Sequence, residues 1–92
     1  MGNDPLKELR DKYRQILKTY TYEEEDALVG LIKLTMEKFN DELDRYLFGP
    51  RPTDAMLEAQ KDICIYTAAL ASNRGDEKTE EVYLQMAFQI AL

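Results

Sequence analysis

Apolar residues recur along this chain at three- and four-residue steps, in four runs separated by short polar or proline–glycine breaks. No stretch alternates with period two over strand length. Leu6, Leu9, Tyr13, Ile16, Leu17 and Tyr20 share one face of a helix predicted over residues 4–19. Asn3 or Asp4 caps it, and Pro5 takes the first helical position, where its missing N–H is no loss. A second helix is expected over 22–47, with Leu28, Leu31, Ile32, Thr35, Met36, Phe39, Leu43, Tyr46 and Leu47 as its stripe. Thr21 and Glu24 have the spacing of a capping box. Glu23, Glu24, Glu25 and Asp26 crowd the positive end of the helix dipole. Gly30 is either a weak point or a place where another backbone comes close.

Gly49-Pro50-Arg51-Pro52 ends that helix, because proline lacks a donor and pushes its predecessor out of helical geometry. Thr53 or Asp54 then caps a third helix over 54–72. Its buried face is predicted to hold Leu57, Gln60, Ile63, Cys64, Thr67, Leu70 and Ala71. Ala55, Ala59, Ala68, Ala69 and Ala71 admit a close neighbour. At the Asn73–Asp76 break, Gly75 supplies left-handed geometry. A last helix over 77–91 sets Val82, Tyr83, Met86, Ala87 and Ile90 in register. Short links make sequence neighbours run antiparallel. The expectation is one all-α domain over 1–92: a small bundle of about four helices around a central antiparallel hairpin of the two longer ones.

Composition narrows the function. Ninety-two residues with 45% apolar content make one thin core. The net charge of −6 disfavours bulk binding to nucleic acid. Residues 1–20 nevertheless hold five basic and three acidic side chains, a net of +2, which leaves −8 for residues 21–92. A single cysteine suits a reducing compartment. No apolar run approaches a membrane span. The first residues lack a signal core, are too acidic for a transit peptide and miss the myristoylation pattern at Leu6. These features predict a soluble cytoplasmic protein.

Catalytic equipment is scarce. The absence of histidine removes the commonest general base and zinc ligand. Cys64 on an apolar face reads as a small buried hydrophobe. The carboxylates of Glu23–Asp26 serve a helix start, and Asp41, Glu42 and Asp44 a solvated face. Neither a calcium loop nor a phosphate cradle is spelled out. Arg74-Gly75-Asp76 matches an adhesion tripeptide but has an ordinary duty as helix end and helix start. No catalytic residue, metal or cofactor is expected.

One charge pattern remains. Lys7, Arg10, Arg14 and Lys18 form a stripe about 120° from the centre of the first apolar face. Three roles are open to it: solvent or an acidic neighbour such as the second helix, contact with another subunit, or phosphate. The six tyrosines and three phenylalanines exceed what a thin bundle hides. Tyr22, Phe48 and Phe88, with Arg51 in the proline turn, join the stripe as a candidate protein interface.

Residues 32–47, ending in Asp41-Glu42-Leu43-Asp44-Arg45-Tyr46-Leu47, resemble a helix of the head–tail connector (neck adaptor) proteins of tailed phages, Mu-like prophages especially. Met56–Tyr66, with Asp62-Ile63-Cys64-Ile65-Tyr66, and Glu80–Ile90 are similar to that family's next two helices. The likeness spans about 60 residues and consists of helix-packing patterns. The proline turn is shorter than the family's, and the basic first helix has no counterpart in it. The resemblance implies a helical protein that forms a ring at the portal, joins the capsid to tail-completion proteins and lets DNA pass without sequence-specific or membrane binding. The partners it implies are portal and tail-completion proteins and further copies of the chain, with the isolated chain left open as a monomer. The alternative is a small acidic regulatory module, inhibitor or antitoxin-like, and a hydrolase or metal enzyme ranks last.

Overall fold

The computed structural model describes residues 4–46 and 54–92. Among them are four α-helices: α1 Pro5–Thr19, α2 Glu25–Tyr46, α3 Asp54–Asn73 and α4 Glu77–Ala91, with a 3₁₀ turn at Tyr22–Glu24 before α2. The protein is an all-α bundle, and the described residues form no strand.

Local chemistry accounts for the helix ends. The Asp4 side chain accepts from the Leu6 and Lys7 amides at 3.0 and 3.2 Å, and Pro5 follows it. Gly75 sits at φ 77, and two bonds close the end of α3 around it. Its own N–H reaches the Ser72 carbonyl at 3.0 Å, while that of Asp76 reaches the Ala71 carbonyl at 2.9 Å. This is the paired-bond stop that only a residue tolerant of left-handed geometry allows. Asp76 then caps α4 by accepting from the Thr79 amide and hydroxyl.

Helix α3 is the spine. It packs along α2 on one side and α4 on another, and α1 lies across α3 and α4. The core joins Leu9, Tyr13 and Ile16 of α1, Leu28 of α2, Ile65, Ala68 and Ala69 of α3, and Ala87 of α4. The buried Thr35 hydroxyl donates to the Leu31 carbonyl at 2.8 Å, so no polar group is stranded there.

Two expectations are corrected and one open choice is decided. Thr21 makes no side-chain cap; its carbonyl instead takes the Glu24 amide at 2.9 Å, and the chain tightens into a 3₁₀ turn. A Cβ at Gly30 would meet nothing within 4 Å, so of its two readings the close backbone approach falls and the weak point stays. The buried set of α3 is Met56, Ala59, Cys64, Ile65, Ala68, Ala69 and Ala71, whereas Leu57 is exposed. A single stripe fails for α3 because three neighbours surround it, and the small residues mark the sides they approach. The proline turn, with Phe48 and Arg51, lies outside the described residues.

Candidate protein interface

Helix α1 is fixed in place by polar contacts to residues far along the chain. The Tyr13 hydroxyl donates to Glu80 on α4 at 2.5 Å. The Lys12 ammonium donates to Asp62 on α3 at 2.5 Å and lies 3.8 Å from Glu58. Burial opposes the Lys12 charge, but the bond to Asp62 and the nearby carboxylates outweigh it and raise its pKa. Glu58 is held below the usual carboxylate range, chiefly by the Lys61 ammonium at 2.9 Å. Asn73 donates to the Tyr20 carbonyl at 2.9 Å. Arg74 pairs with Glu25, joining the end of α3 to the start of α2. That pairing, and the approach of Arg45 and Ala55 at the other end of a shared cleft, show that α2 and α3 run antiparallel.

With α1 seated this way, its basic stripe faces outward. Lys7, Arg10, Arg14 and Lys18 are exposed. The Arg10 guanidinium lies 5.8 Å from the centre of the Phe88 ring, so the structure brings these two predicted residues together. Arg14 comes within 3.9 Å of Asp11 on its own helix. The stripe makes no ion pair with α2 among the described residues. The ion pair from α1 to α3 is made instead by Lys12, which lies outside the stripe. Tyr22 is 68% exposed, whereas Phe88 packs half-buried on the core.

Sequence reasoning missed a second feature. Met36 is 50% exposed, Leu43 36%, Val82 54% and Met86 44%, although all four fall in predicted apolar stripes. Leu31 and Met36 on α2 diverge by about 140° at 100° per residue, too wide for one neighbour to cover. The breadth of that stripe was the signal. Helix α1 covers α3 and α4 and leaves this flank of α2 bare.

A hollow of about 500 Å³ runs between α2 and α3 beneath Lys38, Glu42, Arg45, Glu58, Asp62 and Tyr66. Its charges are largely committed: Glu42 to Arg45 at 3.1 Å, and Asp62 and Glu58 to lysines. Burial and the Asp62 charge push the Tyr66 phenol up, so it is neutral at ordinary pH. Burial likewise raises the Cys64 thiol and withholds its thiolate. No three Cys, Asp or Glu side chains among the described residues converge to hold a metal ion. No described helix is long and apolar enough to cross a membrane. Among the described residues the arrangement offers cation–π contact, ion pairs and exposed apolar surface. Comparison with protein-family models, curated proteins and solved structures gave no match.

Proposed function

We propose that this chain is a non-enzymatic structural protein of a tailed-phage neck, a connector that assembles as a ring at the portal and joins capsid to tail. One observation carries the reading beyond the sequence resemblance. The bundle leaves Met36 and Leu43 on α2, and Val82 and Met86 on α4, exposed as apolar side chains that a protein partner would bury. In this reading the partners are portal and tail-completion proteins and further copies of the chain. It acts in the cytoplasm of the infected cell and ends in the virion neck. Deleting its reading frame from the prophage and imaging the induced lysate tests this. Filled heads lying apart from free tails are expected; normal particles would overturn it.

A second reading has one observation in its favour. Asp26, Glu37, Asp41 and Asp44 on α2 are exposed and have no ion-pair partner among the described residues, as befits an acidic inhibitor of a basic protein. Normal particles together with stoichiometric, salt-sensitive binding to a purified basic protein encoded beside it would select this reading.

A further inference from the structure

The outward rows of α1 and α2 carry matching charges. At 100° per residue, Lys7, Asp11 and Lys18 fall within about 40° of one another on α1, and Asp26, Lys33 and Glu37 do so on α2. All six are exposed. Asp11 has only the 3.9 Å contact with Arg14. The other five make no ion pair among the described residues. Along α1 the signs run plus, minus, plus, with steps of four and seven residues. Read backwards along α2, from Glu37 through Lys33 to Asp26, they run minus, plus, minus, with the same two steps.

We propose that copies of this chain join head to tail, α1 of one copy lying antiparallel along α2 of the next, with Lys7, Asp11 and Lys18 meeting Glu37, Lys33 and Asp26. Two residues that break each helix's dominant sign, Asp11 among cations and Lys33 among acids, thereby find each other. The same alignment sets Arg14 opposite Gly30, where no side chain stands and a Cβ would meet nothing within 4 Å. Arg10 comes opposite Leu34, which is 59% exposed. Within one molecule the rows do not meet, because α1 lies against α3 and α4. A contact between two different surfaces propagates, and it closes into a ring when the rotation per copy allows. This deepens the connector reading and rests on it for the ring; the pairing itself rests on the two charge rows. Exposed ion pairs are individually weak and screened, so the contact is salt-sensitive.

Sedimentation velocity of the purified chain, over a range of concentrations at low salt, tests the pairing. The intact chain is expected to self-associate, and 0.5 M salt to weaken it. Lys7→Glu with Lys18→Glu, or Asp26→Lys with Glu37→Lys, should each weaken association at least tenfold. Mixing the two double variants in equal amounts should restore it, as should all four changes in one chain. Circular dichroism of each variant should match the parent, since all four side chains are solvated. A parent monomeric throughout, double variants that associate like the parent, or a mixture that stays dissociated would each overturn the proposal. These outcomes are independent of the particle morphology that decides the connector reading.

Discussion

The Tyr13 hydroxyl donates to Glu80 Oε2 across 2.5 Å, tying the first helix to the last. Burial, then the Glu80 carboxylate, push the phenol above its ordinary value of 10.0. Tyr13→Phe keeps the ring and removes the bond. A hydrogen bond to a charged group contributes about 1.5–3 kcal/mol, and a loss in that range is expected at neutral pH. A raised phenol pKa stabilises the fold fully below 10.0, and that contribution fades as pH climbs through the folded value. The gap between parent and variant should therefore shrink above pH 10. Urea melts at pH 8 and pH 11 check both points.

Two glycines should respond in opposite directions. Gly30 lies inside α2 with open space around it, so Gly30→Ala should raise stability by about 0.5–1 kcal/mol. Gly75 sits at φ 77, where a side chain costs about 1–2 kcal/mol, so Gly75→Ala should lower it. Thermal melts of the two variants give the comparison directly.

Ala69 is fully enclosed where α3 meets the core. Ala69→Leu should cost about 1–3 kcal/mol through overpacking. Leu34→Gln, at a position 59% exposed, should change stability by no more than about 0.5 kcal/mol. Denaturant midpoints measured at constant slope separate the two.

Asp76 ties the acid response to one helix start. Its bonds from the Thr79 hydroxyl and amide hold the carboxyl below its ordinary 3.8. Its contribution is present above 3.8 and disappears as pH falls through the lower folded value. Asp76→Asn keeps an oxygen for the Thr79 amide and removes the titration. Its stability should fall less steeply than the parent's between pH 4 and pH 2, as read by urea melts across that interval.

Local order was legible in the sequence because its causes are local. Asp4, Pro5, Gly75 and Asp76 sit where capping and left-handed geometry require them, and the α1 face of Leu9, Tyr13 and Ile16 is buried as its spacing predicts. What failed depended on how many neighbours a helix has. Spacing alone assigns each helix one buried face. That suits α1, misplaces the buried set of α3, and hides the bare flanks at Met36 and Val82. The stripe on α1 was visible as charge, but its seat against Phe88 was not, since 10 and 88 meet only through tertiary packing. The Thr21 box had the right letters, but the tight turn satisfied the Glu24 amide first.

Helix α1 adjoins α2 in sequence yet rests on partners that follow much later: Asp62, 50 positions after Lys12, and Glu80, 67 after Tyr13. During synthesis the greasy side of α1 stays uncovered until α3 and α4, which follow it, have been made. Of the four described helices the earliest made is thus the last to be seated, and its exposure to misassociation lasts until α4 appears.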